Sequence, residues 1–319
     1  DALAELRRKV GDRHPLVIDM LRSLCALDRA TDRLDDAVRH CRESQALAED
    51  LHGRDHRASI DANRQLAALY VDLGRFSQAE SIFLQTFGWM RARLDRNHPD
   101  LARAYNSLAI VAWERGDIDR ALGFQRQAVA AWKTGHNDGL TANGLFNLAM
   151  ILHSTGRDRE ALPAVRESRA LRVSQFGPTH ELVGDSDHLL GEILAALGEA
   201  DAARAALQQA VRLTMAGYGP EHSHTRRAEV SLARLRAGEG ASDALLQLTA
   251  YGQSDAGDIE QRKSAWLARA YAAEVECRTH PASARASLEA VLAQMQLVLP
   301  EGGAIPREIA AIRASCGKR

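Results

Sequence analysis

The sequence predicts an all-α chain, a solenoid of antiparallel helix pairs, because one unit of 42 residues recurs along it. Three rulers carry that prediction. His14, His56 and His98 are each 42 apart, and His180 and His222 resume the same step. Gly74, Gly116, Gly156, Gly198 and Gly240 are spaced 42, 40, 42 and 42. Leu24, Leu66, Leu108, Leu148, Leu190 and Leu232 follow steps of 42, 42, 40, 42 and 42. All three share one phase and one two-residue slip, between His98 and His180.

The elements follow in order. Residues 2–6 stand before Gly11 as residues 210–213 stand before Gly219, so the chain is expected to open on the tail of an earlier repeat, as a piece cut from a longer protein. The unit that starts at His98 shows the internal plan. Pro99 suits a first helical position, where no N–H is needed, and Asp100 suits the positive end of the helix dipole. Leu101, Tyr105, Leu108, Ala109 and Ala112 then make a helical stripe. Gly116 offers a left-handed cap, Asp117 or Asp119 can cap the next helix, and Ile118 to Trp132 carry its apolar face. Small residues recur after the ruler leucines (Ala67, Ala109, Ala149, Gly191, Ala233) and on the second helices (Ala37, Ala79, Ala121, Ala161, Ala203). They let paired helices approach closely. The junction at Gly135–Gly139 has lost two residues, which is expected to alter the rotation between its neighbours. The array is assigned to residues 1–240. Residues 241–319 are expected to form a degenerate helix pair, joined through His280 and Pro281, and a closing helix at 306–315 that caps the apolar end of the stack.

Composition narrows the function. Lys+Arg is 41 and Asp+Glu 42, a net charge of −1, without the basic surplus of a nucleic-acid binder. No run of about 18 apolar residues offers a membrane span. Lysine occurs only at Lys9, Lys133, Lys263 and Lys318, and this Arg- and Ala-rich usage suggests a GC-rich bacterial genome. His52 with His56, and His222 with His224, have ligand-like spacing but lack the further ligands of a zinc site, so no metal is expected. No phosphate-binding glycine loop or hydrolase motif is present, and neither cofactor nor catalysis is expected. Cys25, Cys41, Cys277 and Cys316 match no zinc pattern. They read either as small buried hydrophobes or as two bridges in an oxidising compartment, and both cytoplasm and periplasm stay open.

The run from Tyr105 to Ile110, Gly116 with Asp117, Ala121 with Leu122, and His98 with Pro99 resemble the tetratricopeptide repeat family. A 42-residue unit with a His-Pro junction is similar to its kinesin light chain variety, whose helices run longer. Arg57, Glu181 and Ser223 depart from that pattern by standing where it has proline. The resemblance covers roughly residues 1–240. It implies a right-handed superhelix whose first helices line a concave groove for a protein or extended peptide. The polar side of those helices supplies the candidates: Arg64, Gln65, Arg103, Asn106, Trp113, Asn143, Asn147, His153 and His188. An Asn can bond both groups of a peptide unit, and an Arg can clamp a carboxylate. A solvated helix face must be polar in any case. Asp19, Asp61 and Asp185 interrupt the positive charge, so a strongly acidic partner is not expected. The resemblance further implies the sensor region of a larger bacterial signalling protein, such as a Ser/Thr kinase. A peptide-gated regulator and a self-associating structural module are the competing expectations.

Overall fold

A computed structural model describes residues 2–31, 33–95, 98–253 and 257–318, and these form sixteen α-helices. Helix α1 (Ala2–Val10) precedes seven pairs. They are α2 (Pro15–Ala30) with α3 (Leu34–His52), α4 (Arg57–Asp72) with α5 (Phe76–Arg93), and α6 (Pro99–Glu114) with α7 (Ile118–Thr134). Next come α8 (Asp138–His153) with α9 (Asp158–Phe176), and α10 (Glu181–Ala196) with α11 (Ala200–Tyr218). The last two are α12 (Ser223–Gly238) with α13 (Ser242–Gly252), and α14 (Ile259–Glu276) with α15 (Pro281–Val298). Helix α16 (Ala304–Ser315) follows. Each second helix also packs on the next first helix, and first helices touch first helices, as in a solenoid of antiparallel pairs.

The repeating histidine has a local job. In α2, α4, α6, α10 and α12 the residue before the first turn is His14, His56, His98, His180 or His222. Each Nδ1 accepts the backbone N–H two residues on, at 3.2–3.3 Å. That satisfies one amide that has no partner inside its helix. Three of the rings also stack on a ring four residues back, in His52–His56, Phe176–His180 and Tyr218–His222. In the shortened junction Asn137 takes over, its Oδ1 accepting from Leu140 N at 3.0 Å. Gly116 closes α6 at φ +82°, where Asp117 N–H reaches back to Ala112 O, and Asp117 rather than Asp119 caps α7.

Close approach within pairs rests on the small residues. Ala67, Ala109 and Ala149 on first helices, and Ala37, Ala79, Ala121, Ala161 and Ala203 on second helices, have no exposed surface. Gly191 takes the same place in α10, where a Cβ would lie 2.6 Å from Leu207 Cγ. Both cysteine pairs are bridged. Cys25–Cys41 ties α2 to α3, and Cys277–Cys316 ties the end of α14 to the end of α16, with Cα atoms 5.3 and 5.1 Å apart.

The C-terminal helices share one apolar cluster. Ile309 and Ile312 of α16 enter it beside Trp266 and Tyr271 of α14 and Leu288 and Met295 of α15. The segment leading into α16 then reaches back across the molecule, where Glu301 contacts Ser77 at the start of α5 and Arg307 contacts the end of α6. No helix among the described residues is long and apolar enough to cross a membrane.

Candidate functional site

The inner face of the array is built from equivalent positions on successive first helices, and its polar side chains bond sideways from one repeat to the next. Gln65 of α4 donates to Arg22 O of α2 at 2.8 Å. Asn147 of α8 donates to Asn106 Oδ1 of α6 at 2.9 Å. The Trp113 indole N–H of α6 reaches Ser154 Oγ at 2.8 Å, and His188 Nε2 of α10 lies 2.9 Å from Ser231 Oγ of α12. Arg234 of α12 forks onto Glu274 of α14 at 2.8 and 3.2 Å. Neighbouring first helices are thereby laced together, in large part by groups that the resemblance assigned to a ligand.

The nine candidates divide accordingly. Asn106 and Asn147 are brought together, and Asn106 Oδ1 also accepts from Gln125 Nε2 at 3.0 Å. Gln125 is fully buried on α7 and also donates to Gly144 O at 2.9 Å. Gln65, Trp113 and His188 are held in the lateral contacts. His153 pairs with Asp158 at 2.5 Å. Arg64, Arg103 and Asn143 remain exposed. Among the described residues, the two arginines pair with an aspartate one turn back on their own helix, Asp61 at 3.0 Å and Asp100 at 2.7 Å, and Arg22 stands 3.8 Å from Asp19 in the same way. Exposed pairs of this kind hold loosely, typically by less than about 1 kcal/mol, so their guanidinium groups stay available. Asn143 Oδ1 accepts from the buried Arg172, leaving its amide N–H groups toward solvent. Asp185 departs from the expectation: it is buried, and accepts from Tyr218 while bonding His224, so it does not break up the charge of an open face.

Further along the first helices lies a second set of charged groups, centred on Glu192 and Arg234. Burial would push the Glu192 carboxyl up, but the charges of His188 and His153 and the hydroxyl of Ser231 hold it well below the usual carboxylate range. Burial opposes the charge on Arg234, and the Tyr271, Glu274 and Glu308 groups around it outweigh that and keep it firmly protonated. Its guanidinium lies over the Tyr271 ring, 4.0 Å from the centroid, while Tyr271 donates to Glu308 of α16 at 2.7 Å. Ser231 had a findable signal: it stands two repeat lengths beyond Asn147, in the same ruler position. Gln125 and Arg172 had none, being polar residues on faces that read as apolar.

A model of the tetratricopeptide repeat matches residues 16–88, 59–134, 100–174 and 140–216, overlapping windows that cover more than half of the chain. A clustered mitochondria protein homolog of Caenorhabditis elegans is 26% identical over 189 residues, which make up 56% of this chain and 15% of that protein. The chain thus spans about a seventh of that relative's length. Among solved structures, a Rap protein complexed with competence and sporulation factor superposes with a TM-score of 0.64 at 13% identity, covering 99% of this chain and 92% of the other. A Podosopora anserina kinesin light chain with nearly identical TPR-like repeats gives 0.54 at 18% identity, over 64% and 97%. These likenesses describe the fold.

Proposed function

Since the chain belongs to the tetratricopeptide repeat family, whose arrays are protein-interaction scaffolds, we propose that it binds an extended peptide or protein segment along the inner face of its first helices. The observation that carries this reading is the division of that face. Its lateral bonds fix the first helices as one surface, while Arg64, Arg103 and Asn143 project from α4, α6 and α8 with donors to spare. Donors on three consecutive repeats suit a ligand that runs across several of them. The fork of an Arg meets a carboxylate or peptide carbonyls, and an Asn amide donates to a backbone carbonyl. Because Asp61 and Asp100 sit beside the two arginines, the surface favours a ligand of mixed charge over a strongly acidic one.

The Rap protein seen with its sporulation factor supports the peptide reading by analogy of fold. In the fuller form of this reading, the array is the sensing region of a longer signalling protein, with a Ser/Thr kinase as one form of the attached output. Affinity capture tests the core of the proposal. Wild-type protein and an Arg64→Ala, Arg103→Ala, Asn143→Ala variant are compared for a partner that both could retain. We expect at least a tenfold loss of retained partner in the variant, with helicity unchanged. Equal retention of the same partner by both refutes the proposed surface.

A further inference from the structure

A solenoid repeat ordinarily contacts only its neighbours. Here residues 299–307 contact the α4–α5 turn, the start of α5 and the end of α6, some 190–225 positions away in sequence. The contacts are specific, and each satisfies a helix end. Glu301 accepts from both the N–H and the hydroxyl of Ser77, at 2.8 and 2.9 Å, in the first turn of α5. Glu114 in turn accepts from Ala304 N–H at 2.8 Å, the first residue of α16. Arg307 donates to the carbonyls of Glu114, at 2.5 Å, and Trp113, which end α6. Amides at a helix start and carbonyls at a helix end have no partner within their own helix, and each here meets a charge of the favourable sign.

The fit is steric as well. A Cβ on Gly74 would lie 2.8 Å from Leu299 Cα, so the absence of a side chain at Gly74 lets the two backbones meet. Burial pushes the Glu114 carboxyl up, and the Ala304 amide and the charges of Lys263 and Arg307 offset this only in part. The contact therefore shields Glu114, which is half-buried, from part of the solvent. On its other side, α16 is fastened to α14 by Ile309, Ile312 and the Cys277–Cys316 bridge.

We propose that the segment 299–307 is a clasp, which closes the array by docking its C-terminal unit onto the α4–α5 turn, the start of α5 and the end of α6, and that its release widens the inner face. The inference rests on reading that face as the binding surface, and it names how access to the surface is set. Because the clasp is made of charged caps around one close backbone contact, it has two independent points of failure. Glu301→Ala with Arg307→Ala removes the charged caps, while Gly74→Val introduces a side chain where Leu299 lies.

Fluorescence energy transfer on the full chain, without any partner, tests the clasp. Dyes are placed through Leu84→Cys and Leu297→Cys, exposed positions on α5 and α15. The otherwise unaltered chain is expected to show a single high-transfer population. Both the double alanine variant and Gly74→Val are expected to shift it to lower transfer, with helicity retained. If one variant loses helicity, the other decides. An unchanged transfer distribution in a folded variant overturns the clasp and leaves the affinity-capture result on Arg64, Arg103 and Asn143 standing. A shift with no loss of partner on capture supports the clasp and refutes only the binding surface.

Discussion

Asn106 shows how a polar residue on an inner face is to be weighed. Its Oδ1 accepts from Gln125 and Asn147, and Gln125 is fully buried. Removing the acceptor strands a buried donor, which costs roughly 1–3 kcal/mol. Asn106→Ala is therefore expected to lower stability by about that amount in a urea titration, whereas Arg103→Ala, at an exposed residue, should leave the midpoint nearly unchanged. Equal midpoints for the two variants would contradict the division of the face. His222 carries a pH prediction. Burial first, and the nearby charge of His224 second, hold its imidazole below the ordinary 6.5. Its Nδ1 must be unprotonated to accept from His224 N–H. A folded value depressed below the unfolded one gives stability that is present above 6.5 and lost as pH falls through the folded value. His222→Asn keeps a capping acceptor without a titrating ring, so it should flatten the dependence of α12 hydrogen exchange on pH between 7 and 5 (approximate window from the imidazole range). An unchanged slope would argue against the cap.

At the scale of the element, the junction histidine starts five first helices by the same bond. Losing a cap costs about 1 kcal/mol. His98→Ala is expected to destabilise by about that much in thermal melts, and His98→Asn to recover most of it, since Asn137 already does this work at the short junction. If Asn behaves like Ala, the capping account fails. The His-Pro pair at His280 and Pro281 looks the same in sequence, yet His280 makes no such cap and its Nδ1 lies beside Thr279 Oγ1 instead. The two bridges act on elements too. They close segments separated by 16 and 39 residues, and chain entropy assigns them about 3 and about 4 kcal/mol. Reducing both with a dithiol is expected to lower the melting temperature. Cys277→Ser with Cys316→Ser should lower the protection of α16 amides and spare that of α2 and α3. Uniform loss of protection along the chain would count against that placement.

At the scale of the molecule, the sequence made some features plain and hid others for physical reasons. The array was legible because every unit must solve the same problems, capping a first helix and letting two helices approach, so His98, Gly116 and Ala121 return in phase. The polar face of the first helices was legible as a face, because Arg64, Asn106 and Asn147 fall on one helical side. Its division was not, since whether Asn106 faces a ligand or a neighbour depends on Gln125, on another helix and in a position that reads as apolar. The contact of Glu301 with Ser77 was hidden for a further reason. It occurs once, between distant segments, and has no period to reveal it. Helix α16 packs Ile309 into the C-terminal apolar cluster and turns Arg307 toward α6, and neither contact has a period in the sequence.

The central claim is that partners meet the first helices, and photo-cross-linking tests it most directly. A photoreactive residue is placed at 64, 103 or 143 on first helices, and at 84, 126 or 167 on second helices, all of them exposed positions. The account predicts that a retained partner is captured from the first set and not from the second. Capture from the second set alone would contradict it.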